Sequence, residues 1–251
     1  MTHHNQLIIF DLDDTLVDTS ETYWQARTRF VRLLALEGFN PEAVTEHFEE
    51  VDTTYIAEYG VVPERYGKSM ITTCQQLFAQ VNRVPPQSLL QEISSCGNLI
   101  MERLPALIEG ADELLDWASN HFELALLTRG IDALQQRKIK AAAIEHYFHM
   151  TKVVDKKDAA AFREVMSNTG YSASNTWVIG DSVKSDINPG NEAGAKCILY
   201  EYSHPEYFWR QEYGTVATGK FYKVHSLRDV AAILNSPQSI PMINGLKNLH
   251  P

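Results

Sequence analysis

Asp11 and Asp13 stand two positions apart, directly behind the apolar run Leu7-Ile8-Ile9-Phe10, and Thr15 follows at the same spacing. The run is rich in strand formers and stops at once on polar residues, so it reads as a buried strand ending at Asp11. In open α/β sheets, ligands bind beyond the carboxyl ends of the strands. An Asp-x-Asp-x-Thr delivered to that edge has the residue types for nucleophilic and acid–base work. The competing reading is that Asp13 or Asp14 caps a helix starting near Thr15. Asp14 is expected to point away from the site and receives no role.

Three further polar groups end apolar runs in the same way. Thr128 closes Leu124-Ala125-Leu126-Leu127 and is followed by Arg129-Gly130. Gly180-Asp181-Ser182 closes Trp177-Val178-Ile179, and Asp186 lies five residues past Asp181. Lys156-Lys157-Asp158 comes after the apolar pair Val153-Val154. Each has a plainer reading: Thr128 as an N-cap, one of Asp181 and Asp186 as a cap ahead of Ile187, either lysine as solvated surface. Taken together and in order, the set resembles the four signature motifs of the haloacid dehalogenase-like phosphohydrolases, over roughly Leu7 to Gly194.

The resemblance implies a mechanism for each residue. Asp11 would be the nucleophile that forms an aspartyl-phosphate, and Asp13 the acid and base that serves the leaving oxygen and then water. Thr128 and the backbone N–H groups of Arg129 and Gly130 would hold phosphate. Members of the family usually carry Lys-Pro in the third motif, with an aromatic or aliphatic residue six positions after the lysine. Phe162 meets that count from Lys156, which selects Lys156; Lys157, in place of the proline, leaves the register open. Four carboxylates in one cleft need a cation, and all-oxygen ligands favour a hard ion such as Mg²⁺. By resemblance it would rest on Asp11, on the carbonyl of Asp13, on Asp181, and on Asp186 directly or through water. Family dehalogenases and phosphonate-cleaving members lack an acid at the position of Asp13, so its presence favours phosphate esters.

The segments between the motifs must position them. Residues 17–107 read as nearly all helix. Asp18-x-x-Glu21 has the form of a capping box, followed by a helix carrying Trp24, Phe30, Val31 and Leu34 toward one side until Gly38. Asn40-Pro41 opens a second helix with Val44, Phe48, Val51 and Tyr55 at helical spacing. Gly60, Pro63 and Pro85-Pro86 punctuate two more. From Gly110 the pattern alternates strand and helix to Leu234, which implies parallel strands. The tail from Pro237 shows no periodicity. The expected fold is α/β: a parallel Rossmann-like sheet core of residues 1–16 and 108–251 with an inserted all-helical cap domain, 17–107. A cap of that size favours small substrates over polymers. Arg65 and Lys68, beside the Gly60–Pro63 break, could reach a substrate's distal group, with solvated surface as the plainer reading.

Bulk properties bound the rest. At 251 residues and 44% hydrophobic content, the chain can bury a substantial core. A net charge of −10 argues against a nucleic-acid partner, which needs a basic footprint. No apolar run approaches a membrane span, and no signal peptide is visible. Cys74, Cys96 and Cys197 suit reduced, buried thiols in a cytoplasmic protein, and the pair His3-His4 reads as exposed. The sequence points to a Mg²⁺-dependent phosphomonoesterase acting on a small phosphorylated metabolite, with no obligate protein partner evident. A phosphomutase built on the same motifs, or a non-catalytic metabolite binder, are the alternatives.

Overall fold

The run Leu7–Phe10 is wholly buried, and it forms the interior strand β1 of a seven-stranded sheet. In the computed structural model of the chain, residues 4–60, 62–204 and 215–245 are described. His3 and residues 246–251 lie outside them; His4 is half-buried, with its carbonyl accepting from the Tyr171 hydroxyl at 2.9 Å. After β1 come α1 (Thr19–Leu36), α2 (Pro41–Tyr59), α3 (Pro63–Gln80) and α4 (Gln87–Glu102). Then follow α5 (Ala111–Ser119), β2 (Glu123–Arg129), α6 (Asp132–Ala141), β3 (Met150–Val154), α7 (Ala159–Thr169) and β4 (Thr176–Gly180). The described chain closes with α8 (Asn188–Glu192), β5 (Lys196–Tyr200), β6 (Lys220–Val224), α9 (Val230–Asn235) and β7 (Ile243–Asn244).

The sheet order is β3-β2-β1-β4-β5-β6-β7, parallel throughout except for β7. Strand side chains alternate between faces, and the core divides accordingly. Ile8, Phe10, Leu124, Leu126, Trp177 and Ile179 join one apolar cluster with Leu114, Leu115 and Ile139 from α5 and α6. Leu7, Ile9, Ala125, Leu127 and Val178 join the other with Phe162 and Val165 from α7. Both faces are covered, so these strands read as continuous apolar runs. The chain order reverses between β1 and β4, the switch point at which such sheets open a crevice.

The chain falls into two compact units, one of residues 1–19 and 105–251, the other Ser20–Leu104. The boundary lies inside the expected 17–107 because Val17 pairs with both Asp13 and Leu107 as part of the sheet unit. The second unit is helical. Asn40 caps α2 by accepting from the Ala43 N–H at 3.0 Å, with Pro41 in the first turn, and Gly60 ends that helix at φ 76°. Val44, Phe48 and Val51 face the interior of this unit with Phe30 and Leu34. At the closest approach of α3 and α4, a Cβ on Gly97 would overlap the Gly67 backbone.

Some local expectations need correction. Trp24 is 36% exposed, because the buried stripe of α1 runs through Tyr23, Ala26, Phe30 and Leu34. The Asp18 N–H, which a capping box would give to Glu21, donates to the Ala106 carbonyl at 2.8 Å. Arg65 is neither solvated nor free: it is 1% exposed and ion-paired with Asp52, which also accepts from Ser69 at 2.7 Å. The tail does not merely lie along the surface, since Ile243–Asn244 adds an antiparallel edge strand beside Lys220–Phe221.

Candidate active site

Parallel pairing carries two carboxylates to the same edge. Ile9 and Phe10 lie beside Val178 and Ile179, and the Asp11 N–H extends the ladder to the Ile179 carbonyl at 2.9 Å. Asp11 leaves β1 and Asp181 leaves β4, on either side of the switch point. Thr15, fully buried, ties them together: its Oγ1 lies 3.3 Å from Asp11 Oδ2 and 3.3 Å from Asp181 Oδ1. Asp14 turns in the left-handed region at φ 59° and is fully buried, so it is part of the packed loop rather than a surface residue.

Beyond Asp181 the chain makes a single π turn, Val183–Ile187, before α8. Such turns concentrate at functional sites. Ser182, not Asp181 or Asp186, is its cap, accepting from the Ser185 N–H at 2.9 Å. The extra backbone loop turns Asp186 inward, where it is 1% exposed and its Oδ2 accepts from the Ser182 N–H at 3.1 Å. Gly180 is required here, because a Cβ at that position would overlap the Asp186 carboxyl group. Gly180→Ala is expected to lower turnover by about 10²-fold, the scale of an ångström-sized misplacement of an active group. Unchanged kinetics in a folded variant would show that the position of Asp186 does not matter.

The count to Phe162 selects Lys156, but the structure turns Lys157, not Lys156, toward Asp11. Lys156 is 83% exposed at its side chain and pairs at 3.2 Å with Asp158, which itself caps α7. The Lys157 side chain is 2% exposed, with Nζ 2.5 Å from Asp11 Oδ1 and 2.5 Å from Asp186 Oδ1. Neighbouring residues leaving a strand diverge; Asp158 fixes where α7 begins, and Lys157 is the one left facing Asp11. Its Nζ also lies 5.8 Å from the centre of the Phe162 ring, so Phe162 backs the site lysine from five positions away. Burial acts to lower the Lys157 pKa, but Asp11 and Asp186 outweigh it and the net shift is upward.

On the other face of the sheet, the helix after Thr128 supplies two residues that the motifs do not contain. Gln135 Nε2 donates to Asp13 Oδ2 at 2.8 Å and to Thr128 Oγ1 at 2.6 Å. Lys138 Nζ reaches Asp13 Oδ1 at 2.6 Å, and Thr19 donates to the same oxygen. Burial pushes the Asp13 carboxyl up, yet Lys138 and the donated hydrogen bonds hold it down, to about 2. The only hint in the sequence was the i, i+3 spacing of Gln135 and Lys138 on a helix just past Thr128. Thr128 is no N-cap, since α6 begins after Ile131 without a side-chain cap. The expected nest of N–H groups is incomplete, because the Gly130 N–H donates to the Val154 carbonyl at 3.1 Å. Arg129 ends β2 with an exposed side chain.

Asp11, Asp181 and Asp186 each bring a carboxylate oxygen within 4.8 Å of the others. Lys157 is the cation paired with two of them. Among the described residues, the Lys157 ammonium at 2.5 Å is the ion-pair partner of Asp186 Oδ1, and that one cation is shared with Asp11. Burial, then the Asp11 charge, raises the Asp186 pKa against the pull of Lys157. A buried carboxylate in that condition calls for further positive charge, and three oxygen donors suit a hard divalent cation. Asp13 stands outside this cluster, its side chain engaged by α6. Among the described residues, no helix is long and apolar enough to cross a membrane.

Residues 8–200 match the profile of the family described as haloacid dehalogenase-like hydrolase. The chain is 25% identical to the pyrimidine 5′-nucleotidase PynA of Streptococcus pneumoniae, over 80% of this chain and 86% of that one. It is also 25% identical to a phosphoglycolate phosphatase of Pseudomonas fluorescens, over 96% of this chain and 86% of that one. A solved haloacid dehalogenase-like family hydrolase of Xanthomonas campestris shares the fold, with a TM-score of 0.75, 22% identity, and 95% and 94% of the two chains covered.

Proposed function

Because the chain belongs to the haloacid dehalogenase-like hydrolase family, we propose that it is a Mg²⁺-dependent phosphomonoesterase acting on a small phosphorylated metabolite. The observation that carries this reading is the meeting of Asp11, Asp181 and Asp186 around the buried Lys157 at the switch point of the sheet. Phosphoryl transfer needs an in-line nucleophile, a proton donor for the leaving oxygen, and positive charge around the other oxygens. Relatives that act on a nucleotide or on phosphoglycolate support a small phosphate ester as substrate.

In the first half-reaction an Asp11 oxygen bonds to phosphorus, the ester P–O bond breaks, and Asp13 gives its proton to the leaving oxygen. In the second, water attacks the aspartyl-phosphate, its proton passes to Asp13, the bond to Asp11 breaks, and phosphate leaves. Asp11, Asp181, Asp186 and the Asp13 carbonyl would hold Mg²⁺, which supplies charge neutralisation for the phosphoryl oxygens. Lys157 adds a fixed ammonium beside the nucleophile, and the Thr128 hydroxyl donates to a phosphoryl oxygen. Asp13 at about 2 is a carboxylate, the form that takes a proton from water. A phosphate dianion beside it raises that pKa by adding like charge and competing for Lys138, which favours the acid form.

A panel of phosphorylated metabolites tests the reading, including pyrimidine nucleoside monophosphates, phosphoglycolate and sugar phosphates. Phosphate release should appear with Mg²⁺, vanish with a chelator, and vary by at least about tenfold among esters, as expected of a shaped site. Isomerisation of a sugar phosphate without phosphate release would instead mark a mutase. No Mg²⁺-dependent chemistry on any member would overturn the reading.

A further inference from the structure

We infer that Gln135 is a positioning residue that locks the proton-transfer carboxylate of Asp13 and the phosphate-binding hydroxyl of Thr128 to one amide group. The inference rests on the phosphatase reading above and adds a residue to it. Gln135 is 3% exposed although polar, and such groups are buried only where their hydrogen bonds are satisfied. Its orientation is fixed by its partners. The Asp13 carboxylate at 2.8 Å and the Arg129 carbonyl at 3.4 Å can only accept, so the amide must turn its NH₂ toward them. An amide nitrogen cannot accept, so the contact at 2.6 Å makes Thr128 Oγ1 an acceptor as well. The two amide hydrogens go to Asp13 and Thr128, and the longer approach to Arg129 shares one of them. A threonine hydroxyl has a single hydrogen, and receiving a bond from Gln135 leaves this hydrogen for another acceptor. A phosphoryl oxygen is the acceptor the mechanism brings there.

The surroundings hold the amide in place. Gly130 packs on the side chain: a Cβ there would meet Gln135 Cγ and Cδ at 3.2 Å. Lys138, one turn further along α6, takes the other Asp13 oxygen at 2.6 Å. The two carboxylate oxygens are thereby held from the same helix face, Oδ2 by Gln135 and Oδ1 by Lys138. Asp13 sits on the loop after β1 and Thr128 at the end of β2, two segments far apart in sequence. A single amide donating to both couples the aim of the acid to the aim of the phosphate donor.

The test is a leaving-group series. With aryl phosphates of graded leaving-group acidity, kcat/KM is measured for the unaltered protein, Gln135→Met, Asp13→Asn and the double variant, with circular dichroism on each. Methionine keeps the length and bulk of the side chain without the donors. Gln135→Met should lose about 10- to 10²-fold on the poorest leaving group, within the range for general acid catalysis, and only a few-fold on the best. In the Asp13→Asn background the same change should add less than about threefold, since coupled residues are non-additive. Gln135→Glu, which keeps the shape but puts a like charge against Asp13, should follow the same pattern and serves if the methionine variant does not fold. Equal loss on every leaving group, or full additivity with Asp13→Asn, would mean a merely structural glutamine and overturn the inference alone. An unaltered protein that hydrolyses neither the aryl phosphates nor any ester of the metabolite panel would overturn the phosphatase reading, and the inference with it.

Discussion

Asp11→Asn is expected to reduce kcat/KM by at least about 10⁴-fold, the scale on which an enzyme loses its covalent nucleophile. The variant should remain folded. Asparagine keeps the side-chain shape, Lys157 retains its ion pair with Asp186 at 2.5 Å, and the Thr15 hydroxyl retains Asp181 at 3.3 Å. Removing one of three carboxylates that lie within 4.8 Å of one another also relieves repulsion where no divalent cation balances it. Thermal stability measured in chelator should therefore hold or rise while activity is lost. Mass spectrometry after rapid acid quench offers a second measure, with phosphate found on the peptide containing Asp11 in the unaltered protein and absent in the variant. An Asp11→Asn protein turning over at the unaltered rate would refute the covalent mechanism.

Lys157→Ala is expected to reduce kcat/KM by about 10³-fold, the upper range for removing one preorganised electrostatic stabiliser. Lys156→Ala should stay within about threefold, as an exposed ion pair contributes little. Stability should separate the two in the same direction. The Lys157 side chain is buried between Asp11 and Asp186, and its removal leaves two buried carboxylates without their shared cation, a loss of roughly 3–5 kcal/mol for such a site. Denaturant unfolding in chelator measures that difference directly. The reverse ranking of the two lysines, in rate or in stability, would contradict the geometry at the start of α7.

The sequence by itself determined which segments form strands and helices and which polar residues end the strands. Strand runs such as Leu7–Phe10 and Lys196–Tyr200 are short, apolar and ended by polar or turn residues, so local pattern was enough to delimit them. Asp11, Asp13, Thr128 and Asp181 were legible for the same reason, because each follows such a run and the run fixes which edge of the sheet it reaches. The helices of residues 20–104 were legible from proline, glycine and Asn40 at their ends. What failed was phase. Trp24 lies one position off the buried stripe of α1, and Lys156 one position off the residue that enters the site.

Tertiary structure decided those phases and the partnerships across the chain. Whether Lys156 or Lys157 faces Asp11 depends on where Asp158 starts α7 and on how Phe162 packs in the core, and a residue count does not carry this information. The tail could not announce β7, because an edge strand of two residues has no periodicity; its pairing with Lys220 and Phe221 exists only once β6 is in place. Gln135 and Lys138 carried no motif, and their hold on Asp13 spans 122 and 125 positions. Local sequence fixes what an element is and which residues end it. Which side chains meet between elements is set by sheet order, by alternation of faces and by helix starts, and these are properties of the packed whole.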